Sequence, residues 1–426
     1  MSTPSLDLPQ HRTQPTAALT RILRARLLAQ LHDLPEARIE LDDALGTQRL
    51  GRGDADAPRA RIEVLDADFY WRIATAGSIG AGEAYMDGLW RSDDLVALLR
   101  MLVRSRDRLD AIDSGITRAA GVVLRAWHML QRNTRSGSRR NIAAHYDLGN
   151  ALFELFLSPD MMYSSAVFAR ADETLESASR RKLERICRKL DLQPGDRVLE
   201  IGTGWGGFAI HAAREYGCRV ATATISCEQY ELARARIAAA GLTDRIEVLL
   251  ADYRDLGGRY DKLVSIEMVE AIGHQYLDLY FQRIAALLEP HGAALVQAIT
   301  IEDRRYAKAL REVDFIKRHI FPGSFIPSVG ALSGAIARAG DLRLVNLEDI
   351  GPSYALTLQT WRKRFLQRLP EVRALGYDER FVRMWEFYLA YCEAGFREQA
   401  LGDVQLLLHR TRTSAAPWLP QVADAT

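Results

Sequence analysis

Five short apolar runs punctuate the second half of the chain, at residues 198–201, 220–225, 246–250, 261–266 and 293–299. Each has the length and apolar character of a strand buried on both faces. Longer amphipathic stretches lie between them, among them residues 228–240, ended by Gly241, and 276–288, stopped by Pro290 and Gly292. Such alternation predicts an α/β fold with a doubly wound, mostly parallel sheet. Residues 141–156 and 175–190 are helical in pattern ahead of the sheet, and 304–320 and 361–400 add helices beyond it.

The first half reads differently. Residues 19–31 form a basic amphipathic helix pattern, 51–58 a polar loop, 61–71 one or two short strands carrying Ile62, Val64 and Leu65, and 95–103 another helix. These elements predict a mainly helical N-terminal domain. Within residues 115–132, at about 100° per residue, Ile116, Ala120, Val123, Trp127 and Leu130 share one face, while Arg118, Arg125 and Arg132 share the other. That pattern suits a surface helix packed on a core, and it also suits an interfacial helix lying on anionic lipid. The polar break at 135–140 divides the chain into a tail at 1–18, an N-terminal domain at 19–134, a linker at 135–140, a second domain at 141–412 and a loose tail at 413–426.

With 426 residues, 48 % of them apolar, the chain can build two or three domains with a substantial core. A net charge of +1 gives no field that would draw nucleic acid. The four cysteines, at 187, 218, 227 and 392, lack Cys-x-x-Cys spacing, which argues against a zinc cluster or a disulfide frame and for a reducing compartment. No apolar run reaches the roughly 20 residues of a membrane span. Residues 1–15 are polar, with prolines at 4, 9 and 15, and read as a disordered tail rather than a secretory signal. The expectation is a cytoplasmic protein with no bound metal.

The sharpest local feature is Glu200-Ile201-Gly202-Thr203-Gly204-Trp205-Gly206-Gly207, where the first predicted strand meets a glycine turn and then an apolar helical segment. Strand, turn and helix in this order make a nucleotide-sized crevice at the strand's carboxyl end. The spacing differs from the dinucleotide Gly-x-Gly-x-x-Gly pattern and lacks a P-loop's Lys-Ser/Thr ending. Glu-x-Gly-x-Gly after a strand is the common first motif of S-adenosylmethionine (SAM) methyltransferases. Taken alone, it leaves another α/β enzyme or a structural turn open.

Six further segments stand in order around this turn: 82–90 (GEAYMDGLW), 141–150 (NIAAHYDLGN), 162–168 (MYSSAVF), 268–274 (MVEAIGH), 315–323 (FIKRHIFPG) and 387–392 (FYLAYC). With these, residues 60–410 resemble the cyclopropane-fatty-acyl-phospholipid synthases and the related mycolic acid cyclopropane synthases. The resemblance implies a Rossmann-like SAM-methyltransferase fold and a reaction at the double bond of a lipid acyl chain. The alkene takes the methyl of SAM, a carbocation forms, a base removes a proton from the transferred methyl and a ring closes. In the family that base is a bound bicarbonate.

Carried over position by position, the resemblance implies that Tyr163 and Ser164 close over SAM, with Gly202, Thr203, Gly204 and Gly206 under its methionine part. Thr224, Ser226 and Gln229 stand where the family contacts the ribose, and Asp252 and Tyr253 where it contacts adenine. The bicarbonate cage carries over in part. Glu270, Tyr354 and the Ile299 backbone match it, but the family's cysteine is Ser165 here and its histidine is Gln297. Serine and glutamine can donate hydrogen bonds to an oxyanion, but glutamine cannot hold the positive charge a histidine can. Glu267, three positions before Glu270, adds a second carboxylate, read as sharing one helix face with Glu270 and either acting as base or contacting cofactor or solvent. Cys392 matches a cysteine suspected of catalysis in the family, and its setting reads as a buried structural thiol.

The expectation is therefore a SAM-dependent enzyme making cyclopropane fatty acids on an unsaturated membrane phospholipid, with bicarbonate or a carboxylate as base. Its N-terminal domain would dock it on the inner face of the membrane, and a homodimer is compatible with these features. The alternatives are methyl-branched or methylene products from the same fold, and a lipid-binding module with an inactive transferase core.

Overall fold

A computed structural model describes residues 16–111 and 148–410. The chain divides into two compact units, residues 1–120 and 121–426. The arginine-bearing 115–132 segment and the 135–140 break both lie outside the described residues.

In the first unit, α1 (Ala17–His32) precedes β1 (Arg38–Asp43), β2 (Gly46–Leu50) and β3 (Arg59–Val64). Then follow α2 (Asp68–Met86), β4 (Trp90–Ser92), α3 (Leu95–Arg104) and α4 (Arg106–Ala111). Helices hold more residues than strands, but a four-stranded sheet in the order β2-β1-β3-β4 organises the unit. Ile39, Leu41, Ala60, Ile62 and Val64 alternate inward from β1 and β3. The strand reading of 61–71 holds only to Val64. Asp66 accepts the Asp68 N–H at 2.8 Å, and the chain then turns into α2, so Phe69, Tyr70 and Trp71 are helical.

Among the described residues of the second unit the first helices are α5 (Asn150–Glu154) and α6 (Leu175–Lys189). Its sheet core runs β5 (Arg197–Ile201), α7 (Gly207–Tyr216), β6 (Arg219–Thr224), α8 (Cys227–Ala239), β7 (Ile246–Leu250), β8 (Tyr260–Ile266), α9 (Leu277–Leu287) and β9 (Leu288–Ile301). Beyond it come α10 (Asp303–Ala309), α11 (Phe315–His319), α12 (Val329–Arg338), β10 (Leu342–Asp349), α13 (Gly351–Gln367), α14 (Leu369–Ala374), α15 (Glu379–Arg397) and β11 (Leu401–Arg410). The seven strands lie in the order β10-β11-β9-β8-β5-β6-β7. From β9 to β7 all pairings are parallel, while β11 runs antiparallel to both β9 and β10.

The five strands expected from the apolar runs are present, and two more, β10 and β11, were not anticipated. Leu288, Pro290 and Gly292 lie within β9 rather than between helix and strand. The stretch 304–320 is two short helices broken at 310–314 rather than one.

Alternate residues of each strand feed two cores, one on each sheet face. Leu199, Leu263, Leu406 and Leu408 pack with Tyr280, Phe281 and Ile284 of α9 and Leu332 and Ile336 of α12. Val198, Val220, Leu295 and Leu407 pack with Leu183 and Ile186 of α6 and Phe208 and Ala212 of α7. A sheet covered on both faces leaves its carboxyl edge as the place where ligands enter.

Two features of that edge constrain the fold. Gly202 has φ +98°, and a Cβ there would lie 2.3 Å from Met268 Cγ, whereas Gly204, at φ +51°, faces open space. Replacing Gly202 with alanine should cost roughly 2–4 kcal/mol in urea unfolding, from left-handed strain plus overpacking. Gly204→Ala should cost only about 1–2 kcal/mol. Equal losses would refute the packing argument.

Glu200 is buried between β5 and β6, accepting the Thr222 hydroxyl at 2.6 Å, and burial pushes its carboxyl up to about 8. Between the ordinary glutamate range and about pH 8, the native chain thus holds a proton that the unfolded chain has released. Stability from this group is full below that window and falls as pH rises through it. Glu200→Gln should match the parent's melting temperature near pH ~5 and gain on it towards pH ~8, at about 1.4 kcal/mol per displaced unit. A constant difference across that range would contradict the assignment.

Candidate active site

The carboxyl ends of β5, β6 and β7 line up the residues expected around SAM. After β5, the N–H groups of Gly202 and Thr203 both donate to the Ala223 carbonyl, and the Gly206 N–H donates to that of Thr203, which sets the turn. Nothing lies within 4 Å of where a Gly204 Cβ would stand, so the turn faces a space a ligand can fill.

After β6, Thr224, Ser226 and Gln229 form one buried cluster. The Thr224 hydroxyl donates to Gln229 Oε1 at 2.9 Å and accepts the Ser226 N–H at 3.1 Å, while Ser226 Oγ caps α8 by accepting the Gln229 N–H. After β7, Asp252 accepts three bonds from Arg254, at 2.6–3.0 Å, so its carboxylate is held by an internal guanidinium. Beside it the Tyr253 hydroxyl is buried without a partner, a polar atom suited to a bound ligand. Tyr163 stacks on Trp361, with centroids 5.2 Å apart, and its hydroxyl meets that of Tyr388 at 2.8 Å. Ser164 Oγ accepts the Lys182 ammonium at 2.6 Å.

The second cluster lies at the ends of β8 and β9. Glu267 follows β8 with φ +50°, an uncommon left-handed conformation for a glutamate, and the chain then enters a short 3-10 turn, Val269–Ala271. Glu267 and Glu270 therefore do not share a helix face as expected, because the reversal at Glu267 separates strand from turn.

Glu267 is half-buried, and its carboxylate is held by internal donors. Its Oε1 accepts the Ser165 N–H at 2.9 Å and Gln297 Nε2 at 2.8 Å, and its Oε2 accepts the Tyr354 hydroxyl at 2.7 Å. Glu270 Oε1 accepts the Ile299 N–H at 2.6 Å, and its Oε2 is buried with no partner. Ser165, Gln297, Asp403 and Gln405 are fully buried around them. Burial raises both glutamates, but the three donors on Glu267 and the nearby Lys182 oppose the rise. Glu270 is pushed up to about 8, by burial and then by repulsion from Glu267. Of the two, Glu267 is the one equipped to carry the charge.

Four groups here went unnoticed in the sequence. Asp403 Oδ2 accepts Gln297 Nε2 at 2.9 Å, and burial with repulsion from Glu267 and Glu270 raises its carboxyl well above the usual range. Gln405 donates to Gln297 Oε1 at 3.1 Å and accepts Lys189 Nζ at 2.8 Å. Lys182 is fully buried, and burial lowers its pKa against the pull of Glu267, Asp160, Asp403 and Glu200. The signal was present: Lys182 and Lys189 lie on the apolar stripe of α6, and Asp403 and Gln405 interrupt an otherwise apolar strand. Cys392 is half-buried rather than buried as expected, and among the described residues no hydrogen bond joins it to this cluster. Burial and the charge of Asp314 push its thiol up, which suppresses a reactive thiolate.

Residues 133–406 match the family model of mycolic acid cyclopropane synthetase. The chain is 40 % identical over 404 residues to tuberculostearic acid methyltransferase UfaA1 of Mycobacterium tuberculosis, covering 93 % of each chain. It is 39 % identical over 355 residues to cyclopropane-fatty-acyl-phospholipid synthase of Escherichia coli, covering 82 % of this chain and 86 % of that one. Among solved structures, mycolic acid cyclopropane synthase CmaA1 complexed with S-adenosylhomocysteine (SAH) and CTAB is 30 % identical, with a TM-score of 0.60, covering 64 % of this chain and 98 % of that one. SAH is what remains of SAM after its methyl leaves, so its presence there and the open glycine turn here agree on the methyl donor. The chain belongs to the mycolic acid cyclopropane synthetase family and is a SAM-dependent methyltransferase.

Proposed function

We propose that the enzyme transfers the methyl of SAM to the cis double bond of an unsaturated phospholipid acyl chain and closes it into a cyclopropane. The observation that carries this reading is a half-buried carboxylate pair beside the SAM turn, Glu267 and Glu270, walled by aromatic rings. Tyr354 stacks on Phe396 at 4.4 Å, and Trp361 lies between Tyr354 and Tyr163. A carbocation needs a nearby base and few other nucleophiles, and apolar walls with a fixed carboxylate supply both.

The phospholipid substrate is supported by the likeness to cyclopropane-fatty-acyl-phospholipid synthase. Tyr163, Ser164 and the turn from Gly202 to Gly206 would hold SAM, together with Thr224, Ser226, Gln229, Asp252 and Tyr253. Docking of residues 19–134 on the inner face of a membrane completes the reading. It rests on the Arg118, Arg125 and Arg132 pattern, worth about 1 kcal/mol per arginine beside anionic lipid. No helix among the described residues is long and apolar enough to cross a membrane.

A second reading, a methyl-branched or methylene-bearing chain, is favoured by one observation. The groups that would direct proton removal depart from the family pattern at Ser165, Gln297 and Glu267, and the relative matched over 93 % of both chains is a tuberculostearic acid methyltransferase.

Incubating the purified chain with SAM and vesicles of monounsaturated phospholipid should add a single CH₂ unit to the acyl chain by mass spectrometry, with NMR separating ring from methylene. No mass gain would overturn the enzyme reading. Ser226→Ala should remove the cap of α8, at about 1 kcal/mol, and also weaken SAH binding by calorimetry roughly 3–10-fold, the worth of one hydrogen bond. Unchanged affinity would restrict Ser226 to capping.

A further inference from the structure

The family's base, bicarbonate, needs hydrogen-bond donors, and the structure permits a full count of those expected to hold it. The Ser165 N–H, one Gln297 amide hydrogen and the Tyr354 hydroxyl all donate to Glu267. The other Gln297 amide hydrogen donates to Asp403, and the Ile299 N–H donates to Glu270. The Ser165 hydroxyl is turned away, donating to the Ala166 carbonyl at 2.9 Å. Every expected donor is already satisfied, and in each case but the Ser165 hydroxyl by a side-chain carboxylate. The two buried oxygens left over, Glu270 Oε2 and Asp403 Oδ1, belong to carboxyl groups, which offer one O–H each when protonated and none when ionised. No backbone, amide or hydroxyl donor of the expected cage is left for bicarbonate.

We infer that the Glu267 side chain takes the place of bicarbonate, so that the base is built into the chain and turnover needs no added anion. This inference rests on the methyl-transfer reading above. A bicarbonate and a carboxylate present the same planar pair of oxygens, and three donors from three separate elements grip Glu267 as they would grip a bound anion.

The electron count closes without a further reagent. The alkene π pair forms the bond to the methyl carbon, and the methyl–sulfur pair stays on sulfur, leaving neutral SAH and a cation on the neighbouring acyl carbon. Glu267 takes a proton from the transferred methyl, and the freed C–H pair closes the ring. The proton then passes from Glu267 to water. Gln297 and Tyr354 orient the carboxylate, and Ser165 contributes through its backbone, which explains why its side chain can differ from the family's cysteine.

The test compares the parent enzyme with Glu267→Gln and Glu267→Gly, using SAM and monounsaturated phospholipid vesicles, in carbon-dioxide-depleted buffer and with added bicarbonate. The left-handed backbone at this position suits glycine, so the second variant should fold. The parent's rate should stay within about twofold between buffers. Glu267→Gln should lose roughly 10²–10⁴-fold, the usual worth of a positioned base, and bicarbonate should restore part of the activity of Glu267→Gly. A parent rate that collapses in depleted buffer, or a Glu267→Gln variant near full activity, would overturn the inference. Binding of ¹³C-bicarbonate by NMR gives an answer independent of turnover. The parent should show none where Glu267→Gly does, and binding by the parent that Tyr354→Phe abolishes would contradict the inference. Absence of lipid product from the parent in every buffer would instead refute the function reading, with the binding arm still deciding the place of the anion.

Discussion

The rest of the site depends on one constraint: a carboxylate taken out of water must be surrounded by donors or it will take up a proton. Stranding a buried charge costs several kcal/mol, and each charge-assisted hydrogen bond returns about 1.5–3 kcal/mol. Glu267 receives three such bonds, from a loop, a strand and a helix. Those partners are themselves fixed. Tyr354 is wedged against Phe396, Gln297 is bracketed by Asp403 and Gln405, and the hydroxyl of Ser165 is tied to the next carbonyl. The left-handed turn at Glu267 is the local strain that brings the carboxylate to this point, and such strain persists where surrounding contacts over-determine it.

The antiparallel strand β11 makes this network possible. Inserted between β9 and β10, it sets Asp403 opposite Ile299 and Gln405 opposite Gln297. From Gln405 the chain of contacts continues to Lys189 and on to Glu348, at 2.6 Å, which sits nearer the surface. A polar thread thus runs from the partly exposed Glu348 through buried amides to the carboxylate pair. Lys182 lies close enough to Glu267 and Asp403 for their charge to pull its pKa up against the lowering by burial.

Much of the fold was legible in the sequence, because a parallel strand buried on both faces announces itself as a short apolar run. The glycine turn was legible for the same local reason, since its conformation is set by residues next to one another. β10 was missed because its half-exposed residues make no apolar run, and β11 because Asp403 and Gln405 break its pattern and a helix precedes it directly. Glu267 was already a candidate base in the sequence, but the way it is held was out of reach for a different reason. Its donors lie 102, 30 and 87 positions away, so only the closed sheet brings them together. The sequence placed a second carboxylate near Glu270. It held no sign that this carboxylate would occupy the position reserved for an anion, because the reversal that puts it there is a left-handed glutamate.

The chemistry of the site depends on what the Ser165 N–H, Gln297 and Tyr354 hold. A crystal structure of the chain with SAH, grown in the presence of bicarbonate, tests this most directly. Continuous density is expected from the Glu267 backbone to a carboxylate within hydrogen-bonding distance of all three donors. A separate planar anion on those donors, with Glu267 turned away, would contradict it.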